Sequence, residues 1–181
     1  QGVVARIDGR RKELKLADVL DGLDEPALFL VLDGIQDPGN VGTLIRTAAA
    51  AGVEQVWLSP GCAFAWSVKT LRAAQGAHFH TQVVEAVALP EALAAFTGQR
   101  WATLPRDLGS VKTVSLFDAG FGASNVLVLS NEGHGLSEAI VPALSGGLCI
   151  PMEAGIESLN VATAGAIALY TMLGQRMSAR H

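Results

Sequence analysis

Residues 27–33, Ala-Leu-Phe-Leu-Val-Leu-Asp, form one unbroken apolar run between Pro26 and Gly34. A run of this kind is the signature of a strand buried on both faces of a sheet. The stretch that follows, 40–51, is Ala-rich, ends at Gly52 and reads as a helix. The same alternation recurs along the chain. Strands are predicted over 53–58, near 82–86, near 100–104, over 126–129 and over 148–150; helices are predicted over 66–75, 89–97, 136–144 and 158–174. Strands alternating with helices specify an α/β fold, a mostly parallel sheet with helices on both faces.

The 181 residues suit one domain, and a hydrophobic share of 50% supplies its core. No apolar run is long enough for a membrane span, and no signal peptide is visible. Cys62 and Cys149 stand far apart in apolar surroundings and read as reduced thiols, which points to the cytoplasm. The cysteines and histidines show no metal-ligand spacing, so no metal is expected. The net charge of −4 argues against a large non-specific nucleic-acid surface, yet Arg6, Arg10, Arg11, Lys12 and Lys15 crowd into the first fifteen positions. Residues 1–26 therefore read as a basic N-terminal extension, with a core domain over 27–181.

Three polar clusters border the apolar runs: Asp33 to Gly42, Ser130 to Gly135, and Pro151 to Val161. Ligands of open α/β sheets bind at the carboxyl ends of strands, where such loops gather. In the first cluster Asn40 is a good helix N-cap. Arg46, six positions later in an otherwise apolar helix, needs a partner or a ligand phosphate, because an unpaired buried charge is costly, and Glu132 is a natural partner. In the third cluster Ser158 reads as the cap of the last helix, leaving Asn160 in its first turn, where Asn is a poor residue. Gly133-His134-Gly135 resembles the start of a dinucleotide fingerprint, but Glu138 occupies the place of the third glycine. His78, His80, His134 and His181 read as ordinary polar or partly buried residues.

Together the clusters resemble the three motifs of the SpoU/TrmH family of RNA ribose 2′-O-methyltransferases in the SPOUT superfamily. The first is Asp33…Asp37-Pro38-Gly39-Asn40-Val41-Gly42…Arg46. The second is Leu127 to Leu136, including Ser130-Asn131-Glu132-Gly133, and the third is Ile150-Pro151-Met152…Ser158-Leu159-Asn160-Val161-Ala162. Leu71 to Ala77 resembles the family's connecting region. The resemblance implies a C-terminal trefoil knot whose loops hold S-adenosylmethionine. Leu129, Ser130, Gly133, Ile150, Met152 and Leu159 would contact that cofactor, and Asn40, Arg46, Glu132, Ser158 and Asn160 would form the reaction centre. It further implies a homodimer, with Arg46 acting across the interface, and a structured RNA, transfer or ribosomal, as substrate. Ala162 departs from the Ser common in relatives, and relatives often carry an upstream RNA-binding domain. The competing readings are a knotted RNA-binding protein without catalysis and a nucleotide-cofactor oxidoreductase; the incomplete glycine fingerprint opposes the second.

Overall fold

The computed structural model describes residues 26–131, 133, 135–156 and 158–178. The basic N-terminal stretch, Glu132, His134 and His181 lie outside these residues. Seven strands are described: β1 (Leu28–Asp33), β2 (Gln55–Leu58), β3 (Gln82–Val84), β4 (Gln99–Thr103), β5 (Thr113–Ser115), β6 (Asn125–Ser130) and β7 (Gly146–Cys149). They make one sheet in the order β3-β2-β1-β6-β4-β7-β5. Every pairing is parallel. The helices are α1 (Pro38–Ala50), α2 (Val68–Ala74), α3 (Leu89–Ala95) and α4 (Val161–Ser178).

The pleat of β1 divides the core. Leu28, Leu30 and Leu32 pack with Leu44, Ile45, Leu169 and Met172 on the side of α1 and α4. Phe29 and Val31 point the other way, to Trp57, Leu93, Phe96 and Ile140 on the side of α3. Successive residues of a strand face opposite sides, so a run apolar at every position is buried on both. The late strands are inserted among earlier ones: β6 between β1 and β4, and β7 between β4 and β5. This order suits the knotted path implied by the resemblance.

Several sequence-based expectations change in detail. Residues 136–144 form a 3-10 helix, Glu138–Ala143, rather than an α-helix; Pro142 has no N–H to continue an α-helical ladder. The last helix begins at Val161, not at residue 158. Strand β5 has no counterpart among the predicted strands. It is a short edge strand fixed by Asp107, whose carboxylate accepts from Thr113 N (2.8 Å), Thr113 Oγ1 (2.7 Å) and Lys112 Nζ (2.8 Å). These hydrogen bonds hold the Asp107 carboxyl well below the usual carboxylate range. Strand β7, expected over 148–150, starts earlier, on Gly146 and Gly147. A methyl group on Gly147 would collide with Thr113 Cγ2, so a side chain there would force the neighbouring strand away.

Helices α1 and α2 touch through Gly42. A methyl group added there would lie 2.5 Å from the Thr70 carbonyl oxygen and 2.6 Å from Ala73 Cβ. Helix propensity alone favours Gly42→Ala by about 1 kcal/mol. Overpacking against backbone costs about 1–3 kcal/mol and outweighs it. Gly42→Ala is expected to lower the urea midpoint, whereas propensity acting alone would raise it.

Candidate active site at the carboxyl edge

The loops after β1, β4, β6 and β7 meet at one edge of the sheet. Asp33 and Ser130 are register partners at the ends of β1 and β6. Buried Asp33 accepts a hydrogen bond from Ser137 N (2.8 Å). Asn131 extends the join: its N–H donates to Asp33 O (3.2 Å) and its Nδ2 to Gly34 O (3.2 Å). Its side-chain oxygen accepts from Gly133 N (2.7 Å), which folds the second cluster back on itself.

The helix caps fall on neighbours of the expected residues. Asp37, not Asn40, caps α1: its Oδ1 accepts from Asn40 N at 2.7 Å, and Pro38 follows in the first turn. Asn40 is thus the third residue of the helix, with its side chain released from capping. Asn160, not Ser158, caps α4, its Oδ1 accepting from Ala162 N (2.9 Å) and Thr163 N (3.4 Å). The same side chain donates through Nδ2 to Asn40 Oδ1 at 3.1 Å, joining the first and third clusters. Asn40 Nδ2, the donor end of that amide, remains available to a ligand. Ala162 serves the site through its backbone, while its methyl group is buried in the core.

Beside this pair lies a cavity of about 260 Å³, walled by Thr103, Leu104 and Pro105 from the β4 end, by Ser130, Asn131 and Gly135, and by Leu148, Ile150, Met152, Ser158, Leu159, Val161 and Ala164. Ser130, Ile150, Met152 and Leu159, expected to touch a cofactor, all line it. Leu129 does not: its side chain is fully buried in the α1/α4 core. Gly133 is exposed outside the lining. Thr103, Leu104 and Pro105 are wall residues that the motifs do not include; lying at a strand end is their only signal in the sequence.

The expected reaction centre is brought together only in part. Asn40 and Asn160 meet, and Ser158 is on the cavity wall. Arg46 is exposed, so it is not the buried charge that would demand a partner. At 3.6 residues per turn, six positions set it about 120° around α1 from Asn40. Instead it follows Gly42 by one turn, on the α2 side of the helix. Glu132 lies outside the described residues. Burial pushes the Cys62 thiol up, which disfavours a thiolate. Among the described residues no group of three or more His, Cys, Asp or Glu could hold a metal ion, and no helix is long and apolar enough to cross a membrane.

An all-parallel sheet with a ligand-sized cavity and converging polar loops at its carboxyl edge defines an α/β protein built around a small-molecule site. The chain belongs to the SpoU rRNA methylase family, which it matches over residues 27–170. It is similar to the 23S rRNA (guanosine(2553)-2′-O)-methyltransferase RlmP of Bacillus subtilis, with 39% identity over 158 residues, 80% of this chain and 57% of that protein. Similarity to the 23S rRNA (guanosine-2′-O-)-methyltransferase RlmB of Xanthomonas campestris is 33% over 181 residues, 99% of this chain and 72% of the relative. Among solved structures, the SpoU methyltransferase AviRb of Streptomyces viridochromogenes, in complex with the cofactor AdoMet, superposes with a TM-score of 0.78 at 27% identity. That match covers 89% of this chain and 64% of AviRb. The chain spans little more than half the length of several curated relatives, 55% and 57% for two of them.

The two functions of Asn160 are separable. Asn160→Asp keeps an acceptor for the α4 cap but loses the donor to Asn40; Asn160→Ala loses both. The alanine variant is expected to lose about 0.5–2 kcal/mol of stability and the aspartate variant much less. Thermal denaturation of both proteins checks this, and equal losses would show that the cap contributes little.

Proposed function

We propose that this chain is an S-adenosylmethionine-dependent RNA ribose 2′-O-methyltransferase. The observation that carries the proposal is the cavity between the second and third clusters, opening beside the Asn40–Asn160 pair. Its walls fit the cofactor: Leu104, Leu148, Ile150 and Leu159 offer apolar surface for a purine, and Ser130 and the loop backbone offer polar groups for a ribose and an amino acid. The volume of about 260 Å³ lies near the lower end of small-molecule clefts, roughly 300–1,000 Å³. Ser130, Ile150, Met152, Ser158 and Leu159 are the side chains proposed to line the cofactor. Leu129 is proposed to act only as their support, and Gly133 only through the turn it completes.

The bound cofactor supplies a methyl group activated by a positively charged sulfur. The residues supply position and charge. Asn160 fixes the Asn40 amide so that its Nδ2 can donate to a ribose hydroxyl. The Arg46 guanidinium is always protonated and so is not the base; its role is to bind an adjacent phosphate and stabilise charge developing on the 2′-oxygen as the hydroxyl proton passes to water and the S–CH3 bond gives way to O–CH3, leaving a neutral thioether. Its distance around α1 from Asn40 favours delivery to a second subunit's site in a homodimer, where Glu132 would hold it through a charge-assisted pair. The outer side of α4 supports such an interface: Tyr170 is 52% exposed, and Ile167 and Leu173 are partly covered. Val161 and Leu169, by contrast, serve the monomer core. The basic residues 1–26 as an RNA-contacting extension, the domain over 27–181, a ribosomal or transfer RNA substrate and a cytoplasmic location belong to the same proposal.

Titration calorimetry is expected to show binding of S-adenosylmethionine and none of NAD. Transfer of labelled methyl to rRNA or tRNA transcripts should yield ribose positions resistant to alkaline cleavage. NAD binding without a methionine-cofactor signal would overturn the assignment; cofactor binding without transfer would favour a non-catalytic RNA-binding role. Arg46→Ala is expected to lower turnover about 10²–10³-fold, with cofactor affinity and melting temperature nearly unchanged because the side chain is exposed. Light scattering should give the mass of a dimer, and Tyr170→Asp should shift it toward the monomer; a wild-type monomer at micromolar concentration would reject the interface.

A further inference from the structure

We infer that the outer face of α2 and its flanking loops, centred on Trp66 and Phe79, is a stacking platform for unpaired bases of the RNA strand carrying the target ribose. The inference rests on the RNA-methyltransferase reading and adds where and how the strand is held.

Two exposed aromatic rings flank a helix whose outward residues include two cations. Trp66 is 38% exposed and Phe79 78% exposed. Between them in sequence, Lys69 and Arg72 point outward from α2. After position 15 only eight of the thirteen Lys and Arg residues remain in a chain of net charge −4, and Arg46, Lys69 and Arg72 lie on neighbouring helices. Glu85 accepts from Ala65 N (2.8 Å) and so braces the loop that carries Trp66. Exposed rings and exposed cations gathered within residues 66–79 offer what a single strand requires, bases on rings and phosphates on charges.

The platform is held in place before any ligand arrives. Buried His78 donates from Nε2 to the Ala65 carbonyl (2.8 Å), so both backbone groups of Ala65, next to Trp66, are tied down. Burial lowers the pKa of His78, in keeping with a neutral ring. The Trp66 ring leans on that imidazole, with centroids 4.7 Å apart and planes at 46°. An aromatic group with a fixed backbone loses little freedom when a base stacks on it.

The platform is also joined to the site. The loop before α2 is fastened to the loop before α1 by Gly34 N to Ser59 Oγ (2.9 Å) and Ala63 N to Ile35 O (2.8 Å). Helix α2 lies against Gly42, and Arg46 is the next residue on that side of α1. A strand whose phosphate meets Arg46 therefore has Arg72, Lys69 and the two rings along its onward path.

The test uses the full chain and a fluorescein-labelled hairpin oligoribonucleotide with a single-stranded loop, read by anisotropy. Trp66→Ala and Phe79→Ala are each expected to weaken binding about 5- to 100-fold, the usual effect of removing one base-stacking ring. Phe79→Tyr keeps the ring and should keep the affinity. Lys69→Ala with Arg72→Ala should flatten the dependence of log affinity on log salt by about 0.7 for each phosphate that is no longer neutralised. Cofactor affinity by calorimetry should be unchanged in all of these variants, and melting temperature unchanged in those at the exposed Phe79, Lys69 and Arg72; Trp66→Phe, which keeps a ring against His78, should keep the affinity that Trp66→Ala loses. Wild-type affinity in both ring variants, with methyl transfer intact, overturns the platform and leaves the function standing. Loss of dimer mass in those variants, without loss of RNA affinity, makes the face an interface between copies and also overturns it. A wild-type protein that binds cofactor but no RNA overturns both readings.

Discussion

The pairing of β1 with β6 governs the rest of the molecule. It is a six-residue register, Leu28 with Asn125 through Asp33 with Ser130, between segments almost a hundred residues apart. Both strands are apolar on both faces, so each must be covered by helices on two sides, and the sheet becomes parallel throughout. Parallel strands all end at the same edge. That brings the first and second clusters together and leaves their polar residues to sort themselves by hydrogen bonding, as Asn131 does with Asp33 and Gly34.

The elements legible in the sequence are those whose residues carry the cause locally. The runs 27–33 and 126–129 are apolar throughout because the sheet has two buried faces, and α1 is bounded by Pro38 and Gly52. Strand β5 is not legible because its stability comes from Asp107, outside the strand; β7, expected over 148–150, starts two residues earlier, on glycines that permit close packing against Thr113 and Trp101. In each case the cause lies in another segment. A single sequence does not display such distant packing.

The site follows the same rule. Residue types and order point to the loops at the carboxyl edge, and four of the six residues expected to touch a cofactor line the cavity there. The caps are displaced by two or three residues because Asp37 and Asn40, or Ser158 and Asn160, are equally good capping residues. Which one caps depends on where the chain turns into the helix. The consequence is chemical: once Asp37 takes the cap of α1, Asn40 is free, and once Asn160 takes the cap of α4, it is aimed at Asn40. The apolar neighbours of Arg46 suggest burial, whereas the helical period sets it on the outer surface.

The strand order has a bearing on how the chain is made. β1 emerges almost a hundred residues before its neighbour β6, which follows β4 and β5. Until then β1 presents an unpaired apolar edge, the kind of surface on which chains adhere to one another, and β4 lacks both of its neighbours, β6 and β7. Closing the sheet requires the last strands to enter between partners already made, and pairings between such distant segments form slowly. A ribosome stalled before residue 125 would hold a three-stranded sheet, β3-β2-β1, with β4 and β5 still lacking every partner strand.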